Sequence, residues 1–318
     1  MRISTKYATL LFLAALIALT PFFFPSGYYF RVGSMLFVNG LAVTGIVILT
    51  GYAGQISLGH AGFAGIGGYA CALAPVHWGL PPALAIVLGA AVSGVLAFLV
   101  GRPILRLKGY YLGVASLGFG ILVSMVLNNE RALTRGPDGI EVPDLGLRGL
   151  LKDWGLSLTN GEFWYALTGI CLLIGAWIAL NLHSSPTGRA LRALHGSEVA
   201  AGTVGIDVAR VKLQAFVISA IYASVAGSLM ALQNKFVTPD IAGFLHSVEM
   251  VTMAVLGGVA SVPGAILGAG VLTLLPQVLT VFSDYEQLIL GAVMMAVMIF
   301  LPEGLVPSIL RRIRGRDE

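Results

Sequence analysis

"GYAGQISLGHAGFAGIGGYA", residues 51–70, places seven glycines and the polar side chains Gln55, Ser57 and His60 directly after a long apolar run. Glycine inside a helix costs roughly 1 kcal/mol relative to alanine. A helical chain accepts so many only where neighbours must approach closely or where the helix breaks. Both readings put the stretch inside a packed bundle, and its surroundings say what kind. Of 318 residues, 57% are apolar and 11% charged, against the roughly 25% charge usage of soluble domains. Apolar windows of about 20 residues, the helical length that crosses a hydrocarbon core, recur along the chain. In lipid the backbone must satisfy its own polar groups, which helices do within one segment. The expected fold is therefore an all-α, polytopic membrane protein.

Ten spans are expected, at residues 8–25, 34–50, 56–75, 81–100, 110–128, 163–182, 215–234, 248–262, 264–282 and 286–301. Arg2 and Lys6 before the first span resemble a signal peptide, but Pro21 to Phe24 supply bulky aromatics where a signal peptidase needs small residues, so a retained helix is expected. Placing the N-terminus inside puts thirteen basic residues in the cytoplasm: Arg2, Lys6, Arg102, Arg106, Lys108, Arg189, Arg192, Arg210, Lys212, Arg311, Arg312, Arg314 and Arg316. Six fall outside: Arg31, Arg131, Arg135, Arg148, Lys152 and Lys235. That bias favours both termini being cytoplasmic and an even number of crossings. Eight or ten stays open, because the glycine-broken regions 51–75 and 248–282 could be re-entrant. The whole chain, 1–318, reads as one membrane domain with an extracytoplasmic loop at 129–162 and a cytoplasmic loop at 183–214. In the second glycine-rich run, 256–270, a turn is expected at Val262, Pro263 and Gly264.

Several function classes lack their residues. The chain carries no G-x-x-x-x-G-K-[ST], no H-E-x-x-H and no G-x-S-x-G. Cys71 and Cys171 sit in apolar runs as small core residues, and the five histidines show no ligand spacing, so neither a disulfide nor a metal is expected. The formal charge of +4 comes from interfacial lysines and arginines and not from a nucleic-acid surface. Glu249 falls just inside a span after "GFLHS". It reads equally as an interfacial carboxylate near Ser247 or as a group facing a partner or an aqueous cavity.

The cytoplasmic loop reads "HSSPTGRALRALHGSEVAAGTVGIDVARVKLQ", residues 183–214. Ser185 and Pro186 suit an N-cap and first turn, and Gly196 ends that helix. Ser197 caps a second helix that ends at Gly205, where a left-handed residue is easily supplied, followed by Ile206 as the residue that folds back. Helical spacing aligns Glu198, Ala201 or Gly202, and Gly205 on one stripe. The residues alone fit an amphipathic loop on the lipid surface, a helix pair offered to a cytoplasmic partner, or, least well for want of a core, a DNA-binding helix-turn-helix.

"SEVAAGTVGI" resembles the E-A-A-x-x-x-G-I coupling motif of the permease subunits of bacterial ABC importers. The longer stretch "SSPTGRALRAL…SEVAAGTVGIDVARVKLQAFVISAIYASVAGSL" resembles the branched-chain amino acid permeases, of the M type rather than the H type. So do "GYAGQISLGHAGFAGIGGY", "TRGPDGI" and "HSVEMVTMAVLGGVASVPGAILGA", in the family's order, from about residue 35 to 305. Val199 departs from the motif, which most often has alanine there.

The resemblance implies an inner-membrane permease subunit forming half of the path. Its implied partners are a second permease, two cytoplasmic ATPases that carry the ATP and Mg²⁺, and an extracytoplasmic solute-binding protein. No cofactor and no catalytic residue are then expected on this chain. The implied ATPase-docking set is Glu198, Ala200, Ala201, Gly205 and Ile206, in a loop that moves as a body with the spans it joins. Gln55, Ser57, His60 and Glu249 become candidates for lining the path or for satisfying broken backbone. Leucine, isoleucine or valine is the implied solute, with other amino acids, urea or short amides as alternatives. The rival reading is a self-sufficient secondary transporter or channel, which would normally want several intramembrane charges. A membrane-bound enzyme would want a cluster of catalytic side chains at one depth.

Overall fold

The computed structural model describes residues 5–107, 109–149 and 158–278, and beyond these the separate positions 288, 291, 292, 295, 299, 304 and 305. The helices in chain order are α1 (Thr5–Leu19), α2 (Gly27–Ile46), α3 (His60–Trp78), α4 (Pro82–Ile104), α5 (Tyr110–Asn129), α6 (Arg131–Thr134), α7 (Asn160–Ser184), α8 (Pro186–Gly196), α9 (Glu198–Thr203), α10 (Val208–Asn234), α11 (Phe244–Gly257) and α12 (Val262–Val278). A two-residue antiparallel ribbon joins β1 (Ile140–Glu141) to β2 (Phe236–Val237). The chain is an all-α, multi-pass membrane protein.

Among the described residues, six segments are long and apolar enough to cross a membrane: Lys6–Phe23, Gly27–Tyr52, Pro82–Ile104, Tyr110–Asn129, Asn160–Ser184 and Val208–Asn234. The difference from ten has physical reasons. Helix α3 has the length, but its glycines and His60 dilute its hydropathy while suiting it to the centre of the bundle. Helix α11 has 14 residues and rises about 21 Å, short of a hydrocarbon core of about 30 Å. Helix α12 has 17 residues, and most of the expected span 286–301 falls outside the described residues.

Helices α2 and α10 are mostly buried and α1 is almost wholly exposed, so the bundle is built around the first pair. Helix α10 packs chiefly on α3 and α4, and α2 on α7, α10 and α12. The α3–α10 contact is set by missing side chains. A Cβ on Gly227 would stand 2.0 Å from the carbonyl oxygen of Ala64, and one on Gly67 would stand 2.0 Å from that of Ser224. The two backbones therefore touch, as small residues permit where no hydrophobic force holds helices together in lipid. Outward faces are apolar, with Val87, Val95 and Leu99 on α4 and Leu122, Met125 and Val126 on α5 exposed where acyl chains would cover them.

The bundle has two distinct ends. At one, Lys6 of α1 donates to Ser184 of α7, so the start of the chain and the 183–214 loop share a side. At the other, the β1–β2 ribbon and the 3.6 Å Lys235–Asp144 ion pair tie the 129–162 loop to the chain leaving α10. That chain then folds back as a 3₁₀ turn, Pro239–Ala242, against α3. Helix α11 consequently starts beside α3, with Ser247 accepting the Ala61 N–H. Residues 150–157 of the 129–162 loop lie outside the described residues. The second glycine-rich run turns at residues 258–261 and not at Val262 to Gly264. Ser261 accepts the Gly264 N–H at 3.2 Å, and Pro263 sits in the first helical turn, where its missing N–H costs nothing.

Candidate functional site

The opening glycine-rich stretch is a helix break. Helix α2 continues through a π-helical turn, Val47–Tyr52, and residues 53–59 then form no helix until α3 begins at His60. A π-turn inside a helix is a recognised mark of a functional irregularity. Gln55 is buried, and its amide donates to the Ala53 carbonyl at 3.1 Å. The Gln55 backbone carbonyl accepts from the Thr50 hydroxyl at 3.1 Å. Ser57 is likewise buried, its hydroxyl 3.5 Å from the Gly59 N–H. Both side chains serve the backbone of the break in this conformation.

Helix α3 has no side-chain cap of its own, since Gly59 is its N-cap residue. Neighbouring helices supply what is missing, because the first N–H groups of a helix have no internal partner. The Leu58 N–H donates to Ser116 of α5 at 3.0 Å, and the Ala61 N–H donates to Ser247 of α11 at 3.1 Å. His60 Nε2 lies 2.6 Å from the hydroxyl of Ser219 on α10, while Nδ1 has no hydrogen-bond partner among the described residues. Three serines on three helices thus pin one helix start. Ser247→Ala is expected to lower stability by about 1–3 kcal/mol, because it strands a buried N–H; the thermal midpoint in detergent reads this, and an unchanged midpoint would show the N–H otherwise satisfied.

The break also touches both the second glycine-rich run and the 183–214 loop. A Cβ on Gly51 would stand 1.9 Å from the Val259 carbonyl oxygen, so the two glycine-rich segments meet in space. His195, near the end of α8, packs over Gly54, and the rings of Tyr52 and His183 are 4.9 Å apart. Movement of the loop would therefore press directly on the break.

The loop folds as its punctuation indicates. Ser185 accepts the Gly188 N–H at 3.0 Å and Ser197 accepts the Ala200 N–H at 3.2 Å, capping α8 and α9. Gly205 adopts φ +84°, a left-handed conformation that suits glycine, and the Ile206 N–H returns to the Ala201 carbonyl at 3.1 Å. Asp207 caps α10 through the Arg210 N–H at 3.0 Å. Leu191, Leu194 and Ala201 are buried beneath the pair of helices. Ala200 and Gly205 are exposed, Ile206 is half-buried, and the Glu198 carboxylate turns inward to the Lys212 ammonium. The large apolar side chains pointing outward are Val199 and Val204, at 76% and 75% exposure. The sequence marked Val199 only as a departure from the motif and left Val204 unremarked; exposed valines flanking a motif of small residues were the available signal.

Glu249 is separate from this constellation. It is 58% exposed on the first turns of α11, with His246 Nδ1 3.4 Å from its carboxylate. Both line a cavity of about 330 Å³ together with Asn234, Phe236, Asp240 and Leu245. The structure does not bring Glu249 to Gln55, Ser57 or His60; Ser247, two residues earlier and on the other face of the same helix, is what reaches the start of α3.

A family model for the permease component of branched-chain amino acid transport systems matches residues 28–298. The chain belongs to this permease family. It is 33% identical to the high-affinity branched-chain amino acid transport system permease protein LivM of Salmonella typhimurium, over 93% of this chain and 75% of that protein. Identity to LivM of Escherichia coli K12 is 32%, with the same coverage of each chain. The permease LivH of Salmonella typhimurium is 27% identical over 70% of this chain and 72% of its own. No solved structure matches significantly. Membership makes the chain a transporter permease component and not a catalytic enzyme, and the self-sufficient transporter or channel is not favoured.

Proposed function

We propose that this permease is one half of the membrane path of a bacterial ABC importer for leucine, isoleucine and valine. The observation that carries the reading is the loop α8–α9, a capped, rigid helix pair that offers Val199 and Val204 outward while resting on the break at Gly54. Its docking face comprises Val199, Ala200, Val204 and Gly205, held from beneath by Glu198, Ala201 and Ile206. Two ATPases supply ATP and Mg²⁺ at that face, a second permease of the same family completes the pore, and a solute-binding protein docks on the 129–162 side. The loop and both termini are cytoplasmic in the plasma membrane; the Lys6–Ser184 contact supports this for the N-terminal end. The ten-segment topology includes α3, α11 and α12 as packed segments shorter or less apolar than ordinary spans. Gln55 and Ser57 shape the break, His60 is held beside it, and Glu249 faces the path or the partner permease.

Uptake by the reconstituted complex, loaded with its binding protein and labelled leucine, tests the solute. Isoleucine and valine in excess are expected to reduce the signal at least tenfold, with urea and acetamide without effect. Competition by the amides alone would replace the solute class.

A further inference from the structure

We infer that Lys212 is a positioning residue that locks the coupling helix α9 to the membrane helix α10, so that the two move as one lever. The inference rests on the docking role proposed above for the 183–214 loop. Lys212 lies on the first turns of α10 with its side chain 3% exposed, and its ammonium pairs with the carboxylate of Glu198, itself 29% exposed. The pair closes one wall of a cleft of about 880 Å³ between α4, α9 and the start of α10.

Among the described residues, the charges around that cleft leave Lys212 one partner. Arg102, Arg106 and Arg210 line it as well, and the lining carboxylates are Glu198 and Asp207. Asp207 accepts the Arg210 backbone N–H as the cap of α10. Glu198 is therefore the group that compensates the buried ammonium. A buried ion pair adds little net stability, but breaking it strands a charge at high cost, so such pairs enforce one arrangement over its alternatives. Here the arrangement is the attachment of α9 to α10: Glu198 reaches inward to Lys212, while Val199 and Val204 project outward and take no part in the pair.

The pair also spans the soft turn between the two helices. Residues 202–205 are exposed, and a methyl group added at Gly202 or Gly205 would meet no atom within 4 Å. Without the ion pair, a push on α9 would be absorbed at this turn. With it, the push reaches α10, which carries Ser219 to His60 and packs against α3 and α4. Glu198, the acidic residue of the motif, then acts inside the permease and not on the ATPase.

The test uses the full importer complex carrying Lys212→Met, Glu198→Gln, or the reversed pair Lys212→Glu with Glu198→Lys. The ATPases are expected to copurify with every variant, because the outward valines are retained. Each single variant is expected to hydrolyse ATP while solute moved per ATP falls at least tenfold, and the reversed pair is expected to recover most of that ratio. Glu198→Gln keeps the size of the side chain and carries the test if Lys212→Met fails to accumulate. A wild-type ratio in Glu198→Gln would overturn the inference. So would equal loss of hydrolysis, uptake and thermal stability without recovery in the reversed pair, which marks a merely structural role. Failure of the docking reading is recognised separately, by ATPase still bound to a chain carrying Val199→Asp and Val204→Asp.

Discussion

Gly227→Leu is expected to leave almost no folded protein in the membrane fraction, and Gly227→Ala to fold poorly. The alanine methyl would stand 2.0 Å from the Ala64 carbonyl oxygen and 2.5 Å from its carbon. Both neighbours are backbone atoms of α3, so no rotamer change relieves the clash and the helices must separate. Separation would loosen the contact that buries most of α10 and draw Ser219 from His60. Overpacking of a well-filled core costs about 1–3 kcal/mol even when side chains can yield, and here they cannot. Folded stabilities are only about 5–15 kcal/mol, so the leucine variant should fall below the threshold for accumulation. Gly118→Ala is the matched control, since nothing lies within 4 Å of the added methyl. Monodisperse yield and thermal midpoint in detergent read the comparison, and a normal yield of Gly227→Leu would refute the close α3–α10 contact.

The double variant Val199→Asp, Val204→Asp should insert and fold normally, because both side chains are about three-quarters exposed. Its effect falls on the partner. Burying a valine contributes about 1.5 kcal/mol or more, so losing two weakens ATPase binding by roughly 100-fold. Introducing two carboxylates into an apolar contact weakens it further. ATPase copurification and ATP-driven uptake should both fall to background. Retention of both would place the ATPase contact elsewhere.

What the sequence discloses and what it hides divide by the range of the interaction. The caps at Ser185, Ser197 and Asp207 and the left-handed turn at Gly205 are made by neighbours in the chain, and the residue types state them. The partners of the α3 start are single serines in apolar helices, up to 186 residues away, and nothing in their local sequence distinguishes them. Hydropathy locates lipid-crossing helices by average apolarity. It therefore favours the exposed α4 and undervalues α3, which is buried because its glycines admit other backbones. The contact of Gly51 with Val259 has the same origin, two small-residue stretches that carry no mark of each other. Glu198 in a motif of small residues suggested a docking group, and only its tertiary contact with Lys212 shows which way the carboxylate points.

The energy source separates an importer subunit from a self-sufficient carrier most directly. The chain is reconstituted in vesicles alone, and in parallel with its second permease, two ATPases and solute-loaded binding protein. Labelled leucine is expected to accumulate only in the second set, only with ATP, and to stop when the ATPases are omitted. Accumulation driven by the isolated chain, with or without an ion gradient, would contradict the importer reading.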